Sequence, residues 1–127
     1  MRARSEARGG IRGRVDAVCE GLPGAVLTHP FDNQHDAWKV GDKMFTCISS
    51  KLTGVSVKTP SIESARMMIE GGAALKAPYF HRSWVHLTPE TDDDLLAAAI
   101  MRSYDIVRAG LTKKAQAALP ERQKEAA

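Results

Sequence analysis

The stretch DAWKVGDKMFTCIS, residues 36 to 49, decides the fold. Two runs of strand-forming residues flank Gly41-Asp42, a two-residue loop whose leading glycine suits a type II′ hairpin. Such a loop fixes a register: Val40 pairs with Lys43, Trp38 with Phe45 and Asp36 with Cys47, and all these pairs point to one side of the sheet. That side is expected to be the core. Lys39, Met44, Thr46 and Ile48 then share the opposite side.

Upstream of the hairpin, AVLTHP (25 to 30) reads as a short strand opened by Gly24 and closed by Pro30, which cannot donate to a ladder. Before it, Ile11, Val15, Val18, Cys19 and Leu22 recur at helical spacing ahead of Gly21 and Pro23, predicting a helix over 11 to 20. Downstream, GVSVKT alternates Val55 and Val57 with Ser56 and Lys58, as a strand does. Thr59-Pro60 resembles an N-cap with proline at the first helical position, and Ile62, Ala65 and Ile69 line one face of a helix that stops at Gly71-Gly72. Residues 76 to 82 and 83 to 87 read as one or two strands. Thr91, with Asp94 three residues on, is expected to cap a last helix that runs to Gly110. A serine in the middle of that helix, Ser103, is expected to bond a backbone carbonyl one turn back.

The expected order is α-β(4)-α-β(1-2)-α. Short connections make the first strands antiparallel neighbours, and three helices cover one face of a sheet. The fold class is therefore α+β, a two-layer sandwich whose helices lie mainly on one face and whose other face is partly open. The domain is expected over 11 to 115, after an Arg/Gly-rich disordered arm at 1 to 10 and before a fraying tail at 116 to 127.

With 127 residues, 43% apolar and 26% charged, the chain fits one folded domain. No run approaches the roughly 18 apolar residues of a membrane span, and no apolar segment follows the basic start, so a cytoplasmic protein is expected. Its two cysteines, Cys19 and Cys47, are then buried reduced thiols. The net charge of +3 is unevenly placed. Residues 1 to 14 hold five arginines against Glu6, so the remainder carries −1; yet residues 37 to 89 hold seven basic groups against three acidic ones, a local +4.

The motifs of catalysis are missing from the sequence. It has no G-x-S-x-G elbow, no Cys with a matching His setting and no phosphate-cradling loop, and His29, His35, His81 and His86 lack the spacing of a metal site. No enzyme, cofactor or metal is expected. What remains is the sheet face carrying Lys39, Thr46, Met44, Ile48, Ser56 and Lys58, joined by Trp84 and His86, since lysines beside an aromatic can bind phosphates and stack bases.

Five stretches, LPGAVLTHPF (22 to 31), WKVGDKMF (38 to 45), VSVKT (55 to 59), APYFHRSWVHL (77 to 87) and SYDIV (103 to 107), resemble in this order the MmcQ/YjbR family, whose fold is related to the CyaY-like group. The resemblance implies an antiparallel α+β fold and a double-wing mode of DNA binding, the wings here being the Gly41-Asp42 turn and the segment from Pro78 to Trp84. Better-known members carry a longer stretch with an L-N-K-like tripeptide before the tryptophan; here five residues separate Pro78 from Trp84, a shorter second wing. The leading expectation is a DNA-binding module in which Lys39, Lys43, Lys51, Lys58 and Arg82 contact phosphates and Trp84 stacks. The alternative is a protein-interaction module or homodimer that uses Met44 and Ile48 on the open sheet face.

Overall fold

The computed structural model describes residues 8–30 and 35–121. The elements are α1 (Gly10–Cys19), β1 (Val26–Thr28), β2 (Asp36–Val40), β3 (Lys43–Ile48), β4 (Val55–Lys58), α2 (Ile62–Glu70), β5 (Leu75–Lys76), β6 (Trp84–Leu87), α3 (Asp93–Ala109) and α4 (Lys113–Ala117). Six antiparallel strands form one sheet in the order β1-β2-β3-β4-β6-β5. The fold is α+β, as expected, with α3 packed over β2, β3 and β4, α2 over β5 and β6, and α1 against α3.

The core lies between these helices and the sheet. Val15, Val40, Phe45, Ile48, Val55, Leu87, Ile100 and Tyr104 are fully buried there. Phe45 meets Tyr104 edge to face, with ring centroids 5.3 Å apart, a geometry that aligns the positive ring edge with the negative face.

The hairpin differs from the expected one in two linked ways. Gly41 and Asp42 both take positive φ, 55° and 69°, so the turn is type I′ rather than II′; its twist matches that of the strands, and aspartate tolerates the left-handed region. The register holds at Val40–Lys43 and then slips: Lys39 pairs with Met44 but Trp38 with Thr46, and Asp36 with Ile48. Phe45 is thus the extra residue of a β-bulge. Beyond it every side chain of β3 changes face, so Ile48 and Thr46, expected on the open side, are fully buried, while Cys47 joins the outer row instead.

A bulge leaves backbone groups without ladder partners, and α3 supplies them. The Ser103 hydroxyl donates to the Phe45 carbonyl at 2.7 Å and accepts from the Lys58 N–H at 2.9 Å. Ser103 therefore stitches β3 to β4 where their ladder is interrupted, rather than bonding within its own helix.

Helix starts shift by a residue or two. Ser61, not Thr59, caps α2 by accepting from Ser64 N at 3.0 Å. Thr59 is buried and donates to the carbonyl of Ser83. Asp92, not Thr91, caps α3, accepting from Leu95 N at 2.8 Å. Of the strand expected over 76 to 82 only Lys76 is paired, as the end of β5; Tyr79 adopts φ 74°, which breaks any extended run.

Both ends of the domain reach further than expected. Arg8, placed in the arm by sequence, bonds Asp16 at 2.7 and 2.9 Å and lies 2.7 Å from the fully buried Asp36 carboxylate. Arg14 bonds Asp93 at 2.8 Å and the carbonyls of Pro89 and Thr91. Cationic groups here compensate buried carboxylates that would otherwise be costly. At the other end, Arg108 donates to Tyr104 Oη and to the carbonyl of Pro120, both at 2.7 Å, and Leu119 packs on the core beside Gly24. The segment up to Pro120 is thus part of the fold; residues 1–7 and 122–127 of the expected arm and tail lie outside the described residues.

Candidate nucleic-acid interface

Directly opposed residues of an antiparallel ladder share a face, so the pairings define rows across the sheet. One row, Thr28–Ala37–Cys47–Ser56–His86–Leu75, crosses all six strands on the side away from the helices. Two residues further along β2 and β4, Lys39 and Lys58 follow on that same side by alternation. The expected common face of these two lysines is therefore present.

Strand direction then sorts the cations. β2 and β4 finish, and β3 and β6 start, at one end of the sheet. Lys39 and Lys43 flank the turn there, Lys58 closes β4, and Arg82 precedes β6. Lys39 and Lys58 are half-buried along their stems; Lys43 and Arg82 are exposed. The Lys58 ammonium lies 3.3 Å from Ser83 Oγ, which holds it beside the 77 to 83 segment. Lys51 does not join them. It sits in the β3–β4 connection, which must lie at the opposite end because β3 runs away from the turn.

Sequence reasoning missed other cations at the basic end. Lys76 ends β5 there. Leu111 packs so closely on the turn that a Cβ on Gly41 would fall 2.5 Å from its Cδ1; α4 opens two residues later with the exposed Lys113 and Lys114. Asp42 is the acid within the turn itself.

A family model described as YjbR matches residues 20–106 of the chain. The chain belongs to the YjbR family. The YjbR fold is also seen in a crystal structure of a DUF419-domain protein from Deinococcus radiodurans, which superposes with a TM-score of 0.71 at 23% identity, over 81% of this chain and 83% of that one. No match is found among curated proteins. The YjbR match begins after α1 and ends within α3, so the ion pairs of Arg8 and the packing of Leu119 are features of this chain lying outside the matched stretch.

In this YjbR chain Trp84 stands opposite Lys58, but it is not an open stacking platform. Only 9% of it is exposed, and Phe80 stacks on it with centroids 4.6 Å apart. The exposed aromatic is Tyr79, fully accessible at the tip of the same segment in a left-handed conformation that a tyrosine rarely takes. A Pro-Tyr-Phe run with two aromatics, of which one must cover Trp84, was the available signal for it.

The homodimer reading also changes. Ile48 is inside the core, leaving the half-buried Met44 and the exposed edge residues Val26 and Leu75 as apolar surface on the outer side. Histidines serve local bonds: His86 contacts Ser56 Oγ at 3.0 Å and Thr53 Oγ1 at 3.2 Å, and His81 contacts Ser83 Oγ at 2.9 Å. Ser56 is buried and both ring nitrogens of His86 are engaged, so the pair braces β4 against β6. Among the described residues no three His, Cys, Asp or Glu side chains are placed to hold a metal ion. Burial pushes the Cys19 thiol well above its ordinary range and raises that of Cys47, leaving both as protonated apolar groups. No helix among the described residues is long and apolar enough to cross a membrane.

Proposed function

We infer that this YjbR domain is a non-catalytic module that docks on the phosphates of DNA with the end of the sheet bearing the β2–β3 turn. The observation that carries this reading is the gathering of Lys39, Lys43, Lys58 and Arg82 at that one end by strand direction. The neighbouring Lys76, Lys113 and Lys114 extend the same positive field, and such a field steers a polyanion before any contact forms. Tyr79 at the tip of the second wing takes the base-stacking role expected of Trp84, because a base can reach a fully exposed ring and not one capped by Phe80.

Fluorescence anisotropy with a short labelled duplex, titrated across salt concentration, tests this. Four neutralised phosphates give a slope of log K against log salt of roughly −3 to −4. Lys43→Glu weakens binding and flattens the slope, whereas Lys51→Glu, at the other end of the sheet, leaves both unchanged. Equal losses from the two variants, or no salt-dependent binding by the full chain, would overturn the assignment.

A further inference from the structure

On the helix side of the sheet, α2 and α3 sit on different strands and leave a cleft of about 410 Å³ between them, which starts beside Lys58, Thr59 and Pro60 at the end of β4. That size falls in the range of roughly 300–1,000 Å³ found for small-molecule sites. Its floor is Val57 of β4. Each helix wall is a stripe at three-and-four spacing: Leu95, Ala98, Ala99 and Arg102 from α3, and Ser64, Met67 and Met68 from α2. The alanines leave the space between the walls unfilled, and two large apolar side chains at the rim, Met67 and Leu95, stay 64% and 37% exposed.

The cleft is chemically graded. The two helices are antiparallel, so Arg102 and Ser64 stand at the end near Thr59 and Pro60, and Leu95 and Met68 toward the other, with about 10 Å of helix between Leu95 and Arg102. Arg102 is exposed and has no hydrogen bond or ion pair among the described residues. Ser64 accepts from the Ser61 hydroxyl at 3.1 Å, which leaves its own proton to donate. No carboxylate lines the cleft. Two donors at one end and methionine, leucine and alanine at the other complement a small molecule with an anionic head and an apolar tail.

We propose that the α2–α3 cleft binds a medium-chain amphipathic carboxylate, its head on Arg102 and Ser64 and its tail along Met67, Met68 and Leu95. The cleft borders the DNA-docking end at Lys58, which also lines it, but its head group is held by Arg102 and Ser64 and the proposal does not depend on that reading. Methionine adapts to flexible apolar tails, since its unbranched thioether changes rotamer readily.

The test uses the full chain with sodium octanoate below its micelle-forming concentration, with octanol and octyltrimethylammonium as chain-matched controls. In protein labelled at the methionine methyls, octanoate shifts the Met67 and Met68 signals saturably. Arg102→Gln weakens octanoate by about five- to tenfold and leaves octanol unchanged, while Arg102→Lys restores part of the loss. Ala99→Trp fills the cleft and removes binding; its melting temperature reports whether it folds, and the wild-type methyl map stands independently of it. Shifts confined to Met44 or Met101, equal affinity for the cationic control, or an Arg102→Gln variant that binds octanoate as well as the wild type would each overturn the proposal.

Discussion

A single hydroxyl holds the sheet together where its ladder fails. Ser103 meets both the carbonyl of the bulged Phe45 and the N–H of Lys58, and it is fully buried. Ser103→Ala strands a buried acceptor and a donor at once, so we expect a loss of about 2–4 kcal/mol in urea unfolding with an unchanged slope. A loss below 1 kcal/mol would mean that water replaces the hydroxyl. Cys19 makes a second residue-scale prediction. Its thiol stays protonated in the fold while the unfolded chain ionises above the ordinary value of 9.0. The unfolded state therefore gains as pH rises past that value, and stability falls by up to about 1.4 kcal/mol per pH unit for each such thiol. Urea melts at pH 8, 9 and 10 check this: Cys19→Ala is less stable at pH 8 but shows a shallower decline toward pH 10.

At the scale of elements, the segments just before α1 and just after α4 are structural. Arg8 bonds Asp16 and touches buried Asp36 from the residues just before α1, and Leu119 with Pro120 fastens the residues just after α4. Truncation before residue 113 removes one partly buried leucine and the hydrogen bonds that Arg108 and Gln116 make across the cut, and should cost about 1–3 kcal/mol, seen as a lower melting temperature. An unchanged melt would show that α4 only rests on the surface. Neither anchoring was legible in the sequence, because an arginine-rich start and a lysine-containing end look alike whether they are solvated or paired. The hairpin at residues 36 to 49, the amphipathic helices and the alternating β4 were legible, since periodicity and turn chemistry are local. The bulge was not: nothing near Phe45 marks it, and the side chain that makes it affordable lies 58 residues away. Lys51 is a different case. Successive antiparallel strands reverse direction, so a cation in the β3–β4 connection belongs at the end opposite the β2–β3 turn, and that inference was open from the sequence alone.

On the scale of the whole molecule, charge is divided by use. Arg8, Arg12 and Arg14 lie against Asp16, Asp36 and Asp93, whereas Lys39, Lys43 and Lys58 collect at one end of the sheet. Deleting residues 1–7 should leave the melting temperature within a few degrees and retain most of the salt-dependent duplex affinity. Deleting residues 1–14 should unfold or strongly destabilise the domain, because it exposes the buried Asp36 carboxylate to an uncompensated site. Circular dichroism melts separate the two outcomes. If the shorter deletion abolished duplex binding with the fold intact, the sheet end would not be the reader.

The clamps at the two termini also set where this protein can be cut. A fragment trimmed to the recognised span would begin after α1, uncovering the surface that Val15 and Cys19 roof, and would stop inside α3, before Arg108. Its freshly bared apolar layer would seek other copies, so expression trials on such a fragment should yield inclusion bodies where residues 8–121 give dispersed protein.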